Sequence, residues 1–208
     1  MPNESLSDKE FLFLGNHLCL DFINTQIVQD GQPVDLLTRF GDLMSWLIQA
    51  GVLDAARAKD RIRAWGAVTE IDHVFARARD FRGTVHHMVQ CIVDQGSVPK
   101  AAVSEINMLL RNYVGHGELR RVRGGFEKRF EIDLKEPIHL LGPIAESAGD
   151  LLAYGDLSLI RKCENQACVL FFYDTTKNHS RRWCSMSACG NRMKVAAHYR
   201  RLKSPETT

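Results

Sequence analysis

The chain has 208 residues, of which 45% are hydrophobic, and its formal net charge is +2 at neutral pH. This composition fits one medium globular domain with a small appended module, and it excludes a largely disordered chain. No apolar run approaches the ~20 residues needed to cross a bilayer, and the first residues lack a signal-peptide pattern. We therefore expect a cytoplasmic protein that makes no membrane contact.

The charge is unevenly distributed along the chain. Residues 158–208 contain ten Lys or Arg and three Asp or Glu, whereas residues 1–157 contain 17 basic and 22 acidic residues. A single fold rarely separates its charges in this way. We predict two domains, a mildly acidic one over residues 1–157 and a basic module over residues 158–208.

Apolar residues at helical spacing predict that the first domain is mainly α-helical. A short helix is expected within 17–25, with Asn16 as its N-cap, and a strand is the alternative over so short a stretch. Asp35 is expected to cap a helix that starts at Leu36 and ends near Gly51. Further helices are expected over 53–65, over 67–94, after Pro99, and from Ile138 to about Leu152. The segment 30–33 is expected to form a turn.

Between the last two of these predicted helices, the spacing of the apolar residues is no longer helical. Residues 119–123 and 126–132 have the composition of strands, and Gly124-Gly125 between them predicts a two-residue hairpin turn. The predicted fold class is therefore α+β, mainly α with a small β-hairpin.

Four cysteines near the C-terminus have the spacing C-x4-C-x15-C-x4-C; they are Cys163, Cys168, Cys184 and Cys189. Disulfides are rare in the cytoplasm, so two close pairs there indicate a metal site. Four thiolates suit one tetrahedral structural Zn²⁺, with no coordination position left for catalysis. We expect a knuckle turn between Cys163 and Cys168, then a hairpin, and then a helix that begins near Cys184 and Cys189. This order predicts a treble-clef-like finger. His179, between the pairs, is an alternative ligand.

Basic residues surround and follow these cysteines. The candidate nucleic-acid-binding residues are Arg181, Arg182, Arg192, Lys194, Arg200, Arg201 and Lys203. A helix held by a finger can enter the major groove of DNA, and neighbouring arginines can bind phosphates. A solvated helix face and a protein-docking surface are the alternatives, and the pattern does not distinguish DNA from RNA.

Four polar residues lie in the apolar stretch near the N-terminus: Asn16, Asp21, Asn24 and Thr25. They could line a small-molecule pocket, or they could provide caps and buried hydrogen bonds that fix the segment. The structural interpretation is favoured.

Several motifs resemble a known family. The segments Cys163-x4-Cys168, Phe171-Phe-Tyr-Asp174, Ser180-Arg-Arg-Trp-Cys184 and Cys189-Gly-Asn-Arg192 are similar to the CGNR-type zinc finger. The segment 17–25, His-Leu-Cys-Leu-Asp-Phe-Ile-Asn-Thr, resembles the opening signature of the ABATE domain, which usually precedes that finger. The resemblance implies a bacterial, stress-linked transcriptional regulator whose four cysteines hold one zinc ion. The predicted helix after Cys189 contains Ala196, Ala197 and Tyr199, so it is less basic than the corresponding helix in many members of the family.

The expected function is DNA binding by the finger, with the first domain sensing a small-molecule effector or mediating homodimerisation. No nucleophile elbow, phosphate loop or HExxH motif is present in the sequence, so we expect no enzymatic activity. The alternative is a small-molecule-binding or enzymatic first domain, with the finger as a structural staple or protein-docking module.

Overall fold

The computed structural model describes residues 5–65 and 68–195. Its first part contains a short helix, α1 (Leu18–Ile23), followed by two paired strands, β1 (Gln26–Gln29) and β2 (Gln32–Asp35). Asp30 and Gly31 join these strands, and both have positive φ angles, of 51° and 78°. This backbone matches the tight hairpin turn that the right-handed twist of the strands favours. The predicted turn is confirmed at Asp30 and Gly31, whereas Gln32 and Pro33 already belong to β2. The two strands were not predicted.

Four helices follow, and they form most of the hydrophobic core. They are α2 (Phe40–Gln49), α3 (Ala55–Trp65), α4 (Val68–Gln95) and α5 (Lys100–Leu110). Helix α4 is central because it contacts α1, α2 and α5. Its buried residues, including Ala78, Phe81 and Val85, recur at helical spacing.

A long hairpin and a last helix complete this part of the chain. Strands β3 (Gly115–Val122) and β4 (Gly125–Ile132) pair antiparallel, and a 3₁₀ turn at Pro137–Leu141 leads into α6 (Gly142–Tyr154). Helix α6 packs on α1 and α5. Each predicted helix is present and the α+β class is confirmed, although α2 and α6 begin four residues later than predicted, at Phe40 and Gly142.

Three local predictions were wrong. Asn16 does not cap α1, since its φ angle is 63° and His17 occupies the N-cap position. Asp35 ends β2 instead of capping a helix, and α2 starts only at Phe40. The β3–β4 turn comprises Arg123 and Gly124, because Val122 already pairs with Gly125.

The C-terminal part is built on a short β-ribbon. Strands β5 (Ile160–Lys162) and β6 (Phe171–Tyr173) pair antiparallel, and the first two cysteines of the motif lie in the loop between them. One turn of π-helix, Met186–Gly190, contains Cys189, and residues 191–195 are helical. A small finger thus follows the helical part, as predicted.

Successive side chains of β6 belong to two different hydrophobic clusters. Phe171 is 1% exposed and packs in the main core, whereas Phe172 is fully buried in a small cluster with Cys163, Cys184 and Cys189. Adjacent side chains of a strand point to opposite faces, so this one strand joins the finger to the helical part. No helix within the described residues is both long and apolar enough to span a membrane.

Candidate metal centre and its surroundings

The four cysteines converge at one point. Their Sγ atoms all lie within 4.8 Å of one another. Cys184 Sγ is 3.8 Å from Cys168 Sγ and 3.6 Å from Cys189 Sγ. Tetrahedral Zn²⁺ with Zn–S bonds of ~2.3 Å requires sulfurs roughly 3.8 Å apart. The four sulfurs therefore fit one zinc ion in a closed site, whereas His179 is not part of this group.

Three of the four cysteines are buried, and two of the sulfurs receive hydrogen bonds from N–H groups. Cys163, Cys184 and Cys189 are buried. The backbone N–H of Cys184 donates to Cys163 Sγ at 3.5 Å, and Asn165 Nδ2 donates to Cys189 Sγ at 3.3 Å. Such donors stabilise negative charge on the sulfurs and fix their orientation.

Asn165 was not among the residues predicted for the site. It is 6% exposed, and its Oδ1 also accepts a hydrogen bond from the Ala167 N–H, which closes the knuckle turn. An asparagine two residues after the first cysteine is a recognisable signal for such a turn. Its bond to Cys189 depends on the folded geometry and could not be read from the sequence.

Crowding of the thiols couples their ionisation. Hydrogen bonds from the Cys168 and Cys184 thiols lower the pKa of Cys163, and the bonds to Cys163 and Cys168 raise the pKa of Cys184. Four thiolates at these separations repel one another, and a bound divalent cation offsets that repulsion. Zinc would thus supply charge balance and folding free energy here, with no catalytic role.

Comparison with known families agrees with this geometry. Residues 16–155 match the ABATE model, described as a putative stress-induced transcription regulator. The chain belongs to the ABATE family. Residues 160–202 match the CGNR zinc finger, so the four cysteines form the structural zinc site of that finger. No curated protein matches the chain.

Arg181 of the finger lies against the protein interior. Its Nη2 donates to the carbonyl oxygens of Leu14 and Cys184, and its Nε donates to that of Trp183. The guanidinium also lies 4.1 Å from the centroid of the Phe172 ring. These contacts occupy its Nε and Nη2 donors and support a role in joining the finger to the N-terminal segment.

Asp174 organises the loop that leads to Arg181. It is fully buried; its Oδ1 accepts hydrogen bonds from the N–H and hydroxyl of Thr176, and its Oδ2 accepts one from the Arg181 N–H. Burial alone would raise its pKa, but these hydrogen bonds outweigh burial, and the pKa lies below its ordinary value. The carboxylate therefore stays charged and fixes the loop.

The remaining basic candidates differ in their environment. Arg182 is paired with Glu164, with Nη2 to Oε2 at 2.5 Å, and its guanidinium lies 5.0 Å from the Trp183 ring centroid. Arg192 and Lys194 are exposed on the helical residues that follow Cys189. Arg200, Arg201 and Lys203 lie outside the described residues.

The asparagines of the N-terminal motif bind the finger directly. Asn24 is 2% exposed, and its Nδ2 donates to the Phe171 carbonyl at 2.8 Å while its Oδ1 accepts from the Phe171 N–H at 2.9 Å. Asn16 Nδ2 donates to the Tyr173 carbonyl at 2.8 Å. Both side chains therefore extend the hydrogen bonding of β6.

The other two polar residues of the motif fix nearby backbone and side chains. Asp21 Oδ1 accepts a hydrogen bond from the Gly15 N–H at 2.7 Å, and burial raises the pKa of this carboxyl to about 6. Thr25 Oγ1 donates to the Phe22 carbonyl and accepts from the buried Arg82. These contacts support the structural interpretation of the motif.

Arg82 was not predicted to be important. It is 1% exposed, and its guanidinium binds both oxygens of Asp35 in addition to Thr25. This bidentate pair ties α4 to the β1–β2 hairpin. An arginine in a long helix looks like a solvated surface residue in sequence, so only the fold reveals its partners.

Proposed function

We propose that this ABATE-family protein is a DNA-binding transcriptional regulator without enzymatic activity, which acts in a stress response in the bacterial cytoplasm. The finger contacts duplex DNA, and the helical part senses an effector or mediates dimerisation. The family description supports regulation, and the positive charge of residues 158–208 supports a polyanionic partner.

The observation that carries the proposal is the exposure of Arg192 and Lys194 directly after Cys189. The zinc site fixes the start of the helix on which they lie, so their charges have a defined position relative to the finger. Arg182 would join Arg192 and Lys194 in binding DNA when its guanidinium leaves Glu164 and binds a phosphate instead. Arg200, Arg201 and Lys203 belong to the proposed surface by their sequence position alone.

Phosphate contacts give affinity that falls with salt, because binding releases condensed counterions. Each neutralised phosphate of duplex DNA adds ~0.9 to the magnitude of the slope of the logarithm of the binding constant against the logarithm of the salt concentration. Replacing Arg192 and Lys194 by Gln should therefore reduce that slope by about 1.8. The measurement is fluorescence anisotropy of a labelled mixed-sequence duplex with the zinc-loaded chain over a salt series.

A matched control is available on helix α3. Lys59 and Arg63 are also exposed, and the variant Lys59→Gln/Arg63→Gln removes the same formal charge far along the chain from the finger. It should retain the wild-type slope. Duplex binding that ignores salt, or a finger variant with the wild-type slope, would show that the electrostatic contact is wrong.

The proposal includes a homodimer, since a single finger offers too little contact for tight specific binding. Sedimentation equilibrium of the zinc-loaded chain measures this directly. A monomer at the concentrations that saturate DNA would remove this part of the proposal.

A second candidate function is favoured by the attachment of the finger to the helical part. The paired hydrogen bonds between Asn24 and Phe171, together with the contact of Arg181 with Leu14, suit a finger that serves as a folding staple. The corresponding small-molecule site would be the cavity of about 800 Å³ beside α4, lined by Val74, Arg77 and Ile138 among others. Zinc-dependent folding without any DNA binding would favour this candidate.

A further inference from the structure

The β3–β4 hairpin has two chemically different faces. Because side chains alternate along a strand, Leu119 and Arg121 of β3 share one face with Phe126, Lys128 and Phe130 of β4, which lie opposite or near them in the register. We call these five residues the ribbon face. It lies within residues 115–132 and so contains no residue of the finger.

The opposite face of the hairpin is neutralised by ion pairs. Glu131 binds Arg57 of α3 and Arg120 of β3, and Arg120 also binds Glu118. These contacts lie between the hairpin and α3 or within the hairpin itself. This side of the hairpin therefore already has partners within the chain.

The ribbon face exposes large apolar side chains, although the Phe130 ring also packs against Tyr113, with the ring centroids 5.0 Å apart. Leu119 is 66% exposed, Phe126 is 64% exposed and Phe130 is 50% exposed. Such neighbouring exposed apolar groups are typical of a binding surface. The two phenylalanines are four residues apart on one strand, which corresponds to ~13 Å.

The charge of the ribbon face is entirely positive. Arg121 and Lys128 are its ionisable residues, and the register places no carboxylate among the positions of this face from 115 to 132. The Arg121 guanidinium lies 5.4 Å from the Phe126 ring centroid. Arg123, in the turn, adds a further cation at the tip.

These positive charges indicate which kind of partner the ribbon face binds. A second copy that packed the same face against itself would bring like charges together without a carboxylate to pair them, which disfavours association. A polyanion complements the face. Exposed aromatic rings beside cations further favour a polyanion in which every charged unit carries a base that can stack, whereas an acidic protein offers a ring only at scattered aromatic residues.

We propose that the ribbon face binds single-stranded nucleic acid, with bases stacked on Phe126 and Phe130 and phosphates bound by Arg121 and Lys128. In a duplex the bases already stack on each other, so the rings would find a free base surface only after costly unstacking. The ~13 Å between the ring positions exceeds the ~3.4 Å rise of stacked bases, so the bound strand would be extended. This contact is independent of the one proposed for the finger.

The test uses the full zinc-loaded chain and a labelled oligothymidylate of about 15 nucleotides. Phe126→Leu keeps an apolar side chain but removes the ring, and it should weaken binding about tenfold. Arg121→Gln/Lys128→Gln should reduce the salt slope by about 1.4, since each single-strand phosphate contributes ~0.7.

Two controls are matched to these changes. Tyr154, which is 85% exposed at the end of α6, provides the aromatic control Tyr154→Leu. The exposed Lys100 and Arg111 provide the two-charge control Lys100→Gln/Arg111→Gln. Both should bind oligothymidylate like the wild type. Arg192→Gln/Lys194→Gln, in the finger, should also retain single-strand binding, so failure of the finger contact with duplex DNA remains distinguishable.

Wild-type affinity in both ribbon-face variants would overturn the proposal. Absence of oligothymidylate binding by the wild type would do the same, as would a ribbon face that binds only duplex DNA. Polyglutamate that competes as well as an unlabelled oligothymidylate would also overturn it, because the surface would then recognise acidic charge without bases.

Discussion

The contact between Asn24 and Phe171 makes a sharp prediction about how the finger is attached. Asn24 is buried, and its amide satisfies both the N–H and the carbonyl of Phe171. Asn24→Ala leaves both backbone groups of β6 without these partners. We expect a large loss of stability, although no side chain of the zinc site changes.

The magnitude follows from the two lost bonds. A buried polar group left without a partner costs ~1–3 kcal/mol, so two such groups cost ~2–6 kcal/mol. For a chain of this size, 1 kcal/mol shifts the melting temperature by ~2–4 °C, and a loss of ~3 kcal/mol lowers it by ~6–12 °C. Asn24→Asp keeps the acceptor but places a carboxylate oxygen against the Phe171 carbonyl, so it should be at least as unstable at neutral pH.

The assay is urea and thermal unfolding of the zinc-loaded chain, followed by far-ultraviolet circular dichroism. Zinc release, followed with a colorimetric chelator, should occur at lower urea in the variant because β6 covers the zinc site. The exposed Asn107 of α5 provides the control Asn107→Ala, for which the free energy of unfolding should change by no more than ~0.5 kcal/mol. An equally small change for Asn24→Ala would refute the reasoning.

Three further predictions concern the metal and the buried carboxyls. Cys189→Ser should abolish stoichiometric zinc in elemental analysis of the purified chain, whereas Cys91→Ser, on α4 outside the cluster, should retain it. Burial alone would raise the pKa of Asp42, but hydrogen bonds, led by that from Lys9, lower it to about 2. The contribution of this carboxylate to stability is therefore present above pH ~4 and is lost as the pH falls towards 2. Asp42→Asn should therefore show a weaker loss of stability over that acid range. Burial raises the pKa of Asp21 to about 6, so the stability that its protonated form contributes is full below pH ~4 and is lost as the pH rises through 6. In Asp21→Asn, the free energy of unfolding measured with urea should not decline over this pH range. The same pH dependence in the variant and the wild type would contradict the raised pKa of Asp21.

The extent of sequence-based prediction differs among the elements. The long amphipathic helix over 67–94 was predicted within a residue or two of α4, because apolar side chains repeat along one face over many turns. The strands β1 and β2, of four residues each, were missed because so short a stretch has no distinctive period. The caps assigned to Asn16 and Asp35 were wrong because both residues have stronger partners far away in the sequence.

The same distinction applies to the site. Cysteine spacing predicted the four zinc ligands, since a metal site of this type requires few residues at restricted separations. The positions of the basic residues relative to the surface could not be predicted in that way. Arg181 and Arg182 are adjacent in sequence, yet one donates to three backbone carbonyls and the other extends towards Glu164 at the surface.

The sequence by itself determined the helical character of the first part, the family and the zinc ligands, because each depends on local periodicity or on short, fixed spacings. Only the tertiary structure decided what the polar residues do. Asn24 lies 147 positions from Phe171 and Arg181 lies 167 positions from Leu14, and the sequence has no local signal for contacts over such separations. The buried hydrogen bonds that join the finger to the helical part form only when the fold brings unsatisfied backbone groups next to these side chains.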